Sequence, residues 1–439
     1  MLKVGFARLD ITPPMGSEIA GYFDPRYAEG VLDPLYATAV VFDDGEKKAV
    51  VMSIDQIGIN YIFMLKLRTA IAEAVGTDIE GVYIACTHTH LGPYLANPTD
   101  KCVHNPEYFE WFSTRLVDAA TIALKDAVPS RLLYTRGEAK DVSFIRRFRM
   151  KDGSTRTNPG PQNPDVLHPL SESDDTSSLL IIKREGKAEI GIINFQVHPD
   201  VIAGSLLSAD YPKFVRDTYE SLIENSLCMY INGAQGDSNH IDIRLPGDHP
   251  CRRGYQRSRY MGTKIALSVI ANYPLAEEIS GDKINYANKT VTVKHNKGTP
   301  EQVPAAVELI NLFKEKGEAN ILQEYAGMQR TTMLAEAYRI VEMIPMPENK
   351  ELLLSAISVG DMAFIGFPGE PFTDVGRNVK DNSKFALTIA SCCTNAYEGY
   401  YPIQSAFDEG GYEAKSSNYV AGTAEKLTEG AIELVNSLK

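Results

Sequence analysis

The hydrophobic positions in the first third of the chain alternate between strand-like and helix-like spacing. Two apolar runs, Tyr36–Phe42 and Ala49–Ile54, flank a polar turn and predict a β-hairpin. The short apolar run Gly81–Cys86 is typical of a buried strand. Apolar residues recur at helical spacing from about Ile62 to Val75 and from Glu107 to Lys125. Strands and helices therefore alternate, but without the strict order of repeated βαβ units.

The rest of the chain continues this alternation. A long polar stretch at 150–175 predicts a loop, and an Ala-, Glu- and Leu-rich block at 301–345 predicts a helical insertion of two helices. The other predicted elements are the hairpin of Leu179–Lys183 with Ile190–Val197, a helix from Asp210 to about Ile223, the strand Cys228–Ile231, the hairpin of Leu354–Val359 with Met362–Phe367, and a helix from about Val420 to Leu438. This order predicts an α/β fold, a single mixed-sheet domain spanning 1–439 with peripheral helices.

Candidate metal ligands stand directly after several predicted strands. His88 and His90 follow Gly81–Cys86, and residues two apart in an extended chain point to the same side, so we expect them to project together. His198 ends a predicted hairpin strand, and Glu370 follows another hairpin. A catalytic zinc commonly takes about three protein ligands and a water, so hairpins that deliver His88, His198 and Glu370 to one edge would suit it. A chance His-x-His pair on a strand face is the alternative.

Composition and charge exclude several classes of function. Hydrophobic residues make up 44% of the chain and charged residues 23%, which is typical of a globular protein. The net charge of −13 disfavours a nucleic-acid partner. The start of the chain lacks the pattern of a signal peptide, no apolar stretch predicts a transmembrane segment, and six cysteines are too sparse for a disulfide framework. We therefore expect a cytoplasmic protein, and homo-oligomerisation is left open.

A glycine-rich loop at 232–240 follows the predicted strand Cys228–Ile231. Its glycines allow the backbone to approach a ligand closely, although a plain turn after a strand has the same pattern. The polar side chains of Gln235, Asp237 and Asn239 are its candidates for substrate binding.

Taken in order, the motifs of this chain resemble the catalytic domain of the neutral (non-lysosomal) ceramidases, which are zinc amidohydrolases. The likeness covers nearly the whole chain, and the motifs are specific in combination. They are Asp10–Pro14, Gly21-Tyr22, Asp33–Ala37, Thr87–His90 with Gly92-Pro93, Asn194–His198, Gly233–Asp237, Pro368–Glu370 and the segment Tyr400–Tyr412.

The resemblance implies roles for individual residues. Zinc would be bound by His88, His198, Glu370 and Tyr400, with His90 beside the metal. Arg146 would match the arginine of the family, and Tyr412 would face the reacting carbonyl. Neighbours compete for two of these roles, since Arg147 is adjacent to Arg146, and Tyr397 and Tyr401 lie close to Tyr400 in sequence. Aromatic packing is the alternative for Tyr400 and Tyr412.

Two departures from the family pattern bear on the substrate. The ceramidases carry a serine in a Gly-Asp-x-Ser-Pro context, where this chain has Asn239. Ser238 is one residue early and would face the other way in an extended loop. We also expect no C-terminal immunoglobulin-like domain. Ceramide itself is therefore a doubtful substrate.

The activity that the resemblance implies is zinc-dependent hydrolysis of the amide bond of a small-molecule or lipid-like N-acyl substrate. His90 would transfer protons, while Arg146 and Tyr412 would donate hydrogen bonds to the oxyanion. An esterase or deacylase acting on an acylated small molecule, or a non-catalytic zinc-containing binding protein, are the alternatives.

Overall fold

Two sheets form the centre of the molecule. The computed structural model describes residues 1–95, 104–325 and 327–439. In this part of the chain the larger sheet has nine strands. In spatial order they are Ser226–Asn232, Glu189–Phe195, Thr176–Arg184, Val128–Glu138, Lys3–Asp10, Tyr36–Asp43, Lys48–Ile54 and Val82–Cys86, with Glu277–Glu278 pairing to Val128–Glu138. The second sheet has the order Ile284–Lys294, Asn349–Val359, Met362–Gly366, Leu387–Ser391.

Parallel pairs bring several strand ends to one side of the molecule. Val82–Cys86 runs parallel to Lys48–Ile54, and Ser226–Asn232 runs parallel to Glu189–Phe195. In the second sheet, Leu387–Ser391 runs parallel to its neighbour Met362–Gly366. The carboxyl ends of parallel strands share an edge, which is where ligands bind in open α/β sheets.

Helices cover the outer faces of both sheets. The helices are Tyr61–Val75, Pro106–Asp126, Tyr211–Leu222, Tyr255–Ile270, Val303–Lys316, Met328–Met343, Thr373–Asp381, Gln404–Glu409, Tyr412–Ser416 and Thr423–Asn436. Thr155–Thr157 and Val166–Pro169 pair with Arg147–Met150 in a three-stranded sheet. The remaining short strands form two-stranded pairs: Glu370–Pro371 with Tyr400–Tyr401, Ser238–Asn239 with Phe144–Ile145, Glu18–Ile19 with Arg26–Tyr27, and Gly30–Val31 with Leu206–Leu207. Within the described ranges, no helix combines the length and the apolar character needed to cross a membrane.

The alternation of side chains along the strands explains the layers. Val41 and Met52 lie on one face of the large sheet and pack against the helices Tyr61–Val75 and Pro106–Asp126. Their neighbour Val40 lies on the opposite face and packs against Phe364 of the second sheet. Successive residues of a strand point to opposite faces, so a continuous apolar run fits a strand buried on both sides. The result is a stack of helices, sheet, sheet and helices.

The predicted mixed-sheet α/β class is confirmed, and so are the predicted hairpins and main helices. The prediction of a plain loop at 150–175 is wrong, because Thr155–Thr157 and Val166–Pro169 both pair with Arg147–Met150. The last helix begins at Thr423 rather than Val420, after Gly422 in the left-handed conformation. Two helices do lie within 301–345, while the single-domain boundary and the insertion stay predictions.

A buried ion pair fixes the segment that precedes the histidine-bearing strand end. The guanidinium of Arg216 donates to both carboxylate oxygens of Asp55 at 2.9 and 2.8 Å, and both side chains are buried. Thr87 also donates to Asp55, and the backbone N–H of His88 donates to the carbonyl of Gln56. Arg216 therefore helps to hold the backbone around His88.

Replacing Arg216 with methionine should lower the free energy of unfolding by about 3–5 kcal/mol, because it leaves the charge of Asp55 buried and unpaired. Urea denaturation would measure the loss. Lys283→Met, which breaks an exposed ion pair with Glu46, is the control and should change stability little. A loss of less than about 1 kcal/mol for Arg216→Met would contradict the structural role of this pair.

Candidate active site

Three strand ends bring His88, His198 and Glu370 together. Glu370 Oε2 lies 3.3 Å from His88 Nε2 and 3.1 Å from His198 Nε2. The two imidazole ring centroids are 4.9 Å apart. The ligand atoms of His88, His90 and His198 all lie within 4.8 Å of one another, a spacing that could hold a metal ion. Residues more than a hundred positions apart in sequence thus share one centre.

The backbone turns at His88, so the extended geometry expected for this segment is wrong. His88 has a φ of 70°, in the left-handed region. Its N–H donates to the carbonyl of Gln56, and its Nδ1 lies 2.6 Å from the carbonyl of Ile57. His88 and His90 still meet, with ring centroids 5.1 Å apart, because the loop places them there rather than the pleat of a strand.

The hydrogen bonds of the two imidazoles fix which nitrogen faces the centre. His88 Nδ1 faces the carbonyl of Ile57 at 2.6 Å, and His198 Nδ1 faces the carbonyl of Gln235 at 3.3 Å. A carbonyl only accepts, so Nδ1 carries the hydrogen in both rings. In the neutral rings the lone pairs of both Nε2 atoms therefore point towards Glu370, the orientation that second-sphere carbonyls give to metal-binding histidines.

The protonation states at this centre also suit a cation. Burial, together with the charge of Arg146, lowers the pKa of His198 to about 4, so this ring is neutral at neutral pH. Burial raises the pKa of the Glu370 carboxyl, and only positive charge at the positions of His88 and His198 holds it well below its usual range; with neutral rings, a bound cation would supply that charge. Within the described residues, Glu370 Oε2 is buried without a hydrogen-bond partner. A carboxylate facing two lone pairs is unfavourable without a cation between them, so these residues fit a bound metal.

His90 lies next to His88 and His198, and its place beside the metal rather than on it stays a prediction. Its ring centroid is 5.6 Å from that of His198, and its Nδ1 is 3.9 Å from Asp200 Oδ1. In the described part of the chain neither ring nitrogen has a hydrogen-bond partner, and burial lowers the pKa of the ring well below its usual value. Sequence reasoning missed Asp200, although its place two residues after His198 was a usable signal.

The structure distinguishes Arg146 from its neighbour. Arg146 Nε donates to Glu413 at 2.6 Å, while its Nη2 donates to the hydroxyl of Tyr400 at 3.2 Å and to the carbonyl of Gly236 at 2.8 Å. The Arg147 guanidinium instead donates to Glu409, away from the tyrosine. The position of Arg146 therefore agrees with the role that the resemblance implies, and that role stays a prediction.

Three tyrosines surround the centre. Tyr397 donates to Glu370 Oε1 at 2.8 Å, so it contacts the centre as closely as any predicted residue. The Tyr400 ring lies 6.4 Å from that of His198 and 5.8 Å from that of Tyr412. Tyr401 is buried and donates to the carbonyl of Pro368, outside the site. Metal binding by Tyr400 stays a prediction, with Tyr397 as its competitor.

The glycine-rich loop at 232–240 packs against the backbone of Glu370. Gly236 must lack a side chain, since a Cβ there would lie 2.6 Å from the carbonyl oxygen of Glu370. Asp237 accepts from the N–H and the hydroxyl of Thr373, both at 2.8 Å. Gln235 accepts from Asn232, and Asn239 donates to Asn158 at 2.9 Å. Substrate binding by Gln235, Asp237 and Asn239 stays a prediction, because all three side chains contact protein groups.

A cavity of about 390 Å³ leads away from the centre. Tyr397, Tyr400 and Tyr412 line this cavity, and so do side chains of the helix Met328–Met343. The helix in the predicted insertion therefore shapes the space next to the candidate metal centre.

Comparisons with known proteins agree with this architecture. The chain is similar to the crystal structure of neutral ceramidase from Pseudomonas aeruginosa, with a TM-score of 0.75, 18% identity, and coverage of 100% of this chain and 74% of that chain. A structure described as ceramidase complexed with C2 gives a TM-score of 0.74 at 18% identity, covering 100% of this chain and 75% of that one. No protein-family model matches the chain. No curated protein matches it either. The expected ceramidase-like fold is thus confirmed.

Proposed function

We propose that this chain, which has the neutral ceramidase fold, is a zinc-dependent hydrolase that cleaves the amide bond of an N-acyl substrate. The observation that carries the proposal is the buried carboxylate of Glu370, which faces the Nε2 atoms of His88 and His198 at 3.3 and 3.1 Å. Catalytic zinc is commonly bound by imidazole nitrogens and carboxylate oxygens, which are the groups present here.

The metal would be held by His88, His198 and Glu370, with Tyr400 as the fourth ligand. When bound, zinc would polarise the acyl carbonyl of the substrate and make a water acidic enough to attack at neutral pH. Gln235 and Ile57 would keep the two imidazoles in the tautomer that binds metal.

His90 would move the proton of the reaction. Its nitrogens have no hydrogen-bond partner among the described residues, and burial keeps the ring neutral and able to accept a proton. In the proposed step His90 takes a proton from the attacking water and gives it to the leaving nitrogen. Asp200, at 3.9 Å from Nδ1, would stabilise the protonated ring between these transfers.

Arg146 and Tyr412 would stabilise the negative charge that develops on the acyl oxygen. The carboxylate of Glu413 is buried and holds the Arg146 guanidinium, which stays charged. Burial raises the pKa of Tyr412, so the hydroxyl keeps its hydrogen and can donate it. Each preorganised donor in a water-excluded site is worth about 3–4 kcal/mol in the transition state.

Purified protein should contain about one zinc per chain, and His88→Ala should lose it, because the variant removes one of the proposed ligands. Elemental analysis of both proteins after growth with zinc measures this. His168→Ala is the matched control, since His168 is exposed on the strand Val166–Pro169 and should leave the metal content unchanged. Equal metal content in wild type and His88→Ala would overturn the proposed centre.

Turnover assays separate the two alternatives from the amide hydrolase. An esterase would cleave acyl esters but not the matching amides. A non-catalytic binding protein would keep its zinc and hydrolyse neither. The replacement of the family serine by Asn239 is the feature that favours this second alternative, since Asn239 bonds to Asn158 instead of facing a substrate.

A further inference from the structure

A buried histidine near the candidate metal centre lacks a hydrogen-bond partner. His240 is only 3% exposed, and in the described part of the chain neither of its ring nitrogens is bonded. It follows Asn239, at the position where the Gly-Asp-x-Ser-Pro pattern of the ceramidases has a proline, whose side chain forms no hydrogen bonds. The ring is close enough to His198 for that imidazole to lower its pKa, after burial and two arginines. Buried polar groups without partners are rare in native proteins, and a ligand group would satisfy this ring.

Three arginines lie on another side of the same ring. The charges of Arg253, Arg257 and Arg252 join burial in holding the pKa of His240 well below its usual value. Arg257 fixes the loop, because its Nη2 donates to the carbonyl of His240 at 3.3 Å and to the carbonyl of Asp141 at 3.2 Å. Arg252 Nε is buried without a hydrogen-bond partner among the described residues, and Arg253 is exposed. Arg252 and Arg253 are therefore available to a ligand, whereas Arg257 is occupied.

The nearby carboxylates do not neutralise these two arginines. Asp242 accepts from the guanidinium of Arg244 through both of its oxygens, each at 2.8 Å. Asp200 accepts from the hydroxyl of Tyr22 at 2.5 Å, and burial raises its pKa although the charge of Arg253 acts against this. Two guanidinium groups thus face a single buried carboxylate, in a protein whose net charge is −13. A local excess of positive charge of this kind attracts an anionic group of a ligand.

The backbone places this charge on the side of the leaving group. The N–H of Gly254 donates to the carbonyl of Val201 at 2.7 Å, so Arg253 lies beside Asp200. Asp200 is also the carboxylate next to His90, at 3.9 Å from its Nδ1. In the proposed reaction His90 gives its proton to the leaving nitrogen, so the amine part of the substrate would extend towards the arginines.

We infer that His240, Arg252 and Arg253 form a subsite for a carboxylate on the amine part of the substrate, which makes the substrate an N-acyl amino acid. The inference rests on the proposed amide hydrolase and specifies its substrate. Arginine binds carboxylates through charge-assisted hydrogen bonds, and a neutral imidazole adds one N–H donor. In the reaction the water oxygen bonds to the acyl carbon and the C–N bond breaks. The nitrogen gains the proton, which gives a carboxylic acid and the free amino acid.

The test compares N-octanoylglycine with N-octanoylglycinamide, which has nearly the same shape but no charge, using the full zinc-loaded chain. We expect wild type to favour the acid in kcat/KM by at least about tenfold. Arg253→Gln should lower the value for the acid by about tenfold or more, mainly through KM, and bring the ratio of the two substrates close to one. Arg259→Gln is the matched control, because it removes the same charge from an exposed position of the helix Tyr255–Ile270. It should keep the preference for the acid.

His240→Leu tests the buried ring, since leucine preserves most of the volume but has no N–H group. It should lower kcat/KM for the acid by about fivefold or more and raise the preference for neither compound. Faster cleavage of N-octanoylethanolamine phosphate than of N-octanoylglycine would show that the subsite takes phosphate, and it would overturn the N-acyl amino acid class.

Binding is measured separately by saturation-transfer NMR with N-octanoylglycine on wild type and Arg253→Gln. Binding that depends on Arg253 but is never followed by hydrolysis would support the carboxylate subsite and overturn the proposed hydrolase. Equal cleavage of the acid and the glycinamide by wild type, or equal losses for both in Arg253→Gln, would overturn the subsite and leave the hydrolase in place.

Discussion

Replacing His198 with alanine should abolish amide hydrolysis, with kcat/KM falling by at least about a thousandfold. His198 is buried between Glu370 and the Gln235 carbonyl, and it presents one of the two Nε2 lone pairs to the centre. Without it, only His88, Glu370 and Tyr400 of the four proposed ligands would remain, and the site for zinc would be incomplete. The measurement is steady-state hydrolysis of an N-acyl substrate, made together with metal analysis of the same preparation.

A chelator should have the same effect on wild type, and added zinc should reverse it. His168→Ala, with its exposed ring, is again the control and should keep both metal and activity. Thermal unfolding of His198→Ala shows whether the variant is folded, because the lost activity counts only for a folded chain. Full activity after the metal has been removed would contradict the zinc mechanism.

Tyr412→Phe should lower kcat by about a hundredfold while leaving KM nearly unchanged. The variant removes only the hydroxyl, which is proposed to donate to the acyl oxygen when that oxygen carries negative charge. The Tyr412 ring packs 5.8 Å from that of Tyr400, and phenylalanine preserves this contact. An interaction formed only in the transition state affects kcat and not substrate binding, so the ratio of the two effects identifies the role.

Tyr401→Phe is the matched control for this measurement. The Tyr401 hydroxyl donates to the carbonyl of Pro368 at 3.0 Å and lies outside the site, so its loss should cost about 1 kcal/mol of stability and little activity. A Tyr412→Phe enzyme with unchanged kcat, or with a raised KM alone, would show that Tyr412 binds substrate or only packs against Tyr400.

Sequence patterns predicted the elements best where strands are buried on both faces. The hairpin around Asp43–Glu46 and the strand before His88 were found because continuous apolar runs are distinctive. The strand Ile284–Lys294 was missed, since its residues INYANKTVTVK are mostly polar and only partly buried. Pairing with Asn349–Val359 along its full length makes it a strand, and such pairing is invisible in a local window.

The site was partly predictable for the same reason. His88, His198 and Glu370 each follow a readable strand, so their shared edge could be inferred before the structure was known. The choice between Arg146 and Arg147 could not be inferred, because the two residues are adjacent, and only the fold shows that Arg146 lies between the short strands Phe144–Ile145 and Arg147–Met150 and contacts Tyr400. The contact of Tyr397 with Glu370 likewise depends on the fold of the loop that follows Leu387–Ser391.

By itself, the sequence determined the α/β class, the main hairpins and helices, and the candidate metal ligands. These follow from periodicity and residue chemistry, which act over a few positions. Only the tertiary structure decided the left-handed turn at His88, the proximity of Asp200 to His90, and the pairing of Arg146 with Glu413. Each depends on segments far apart in the chain, and the packing of two sheets and their helices brings those segments together.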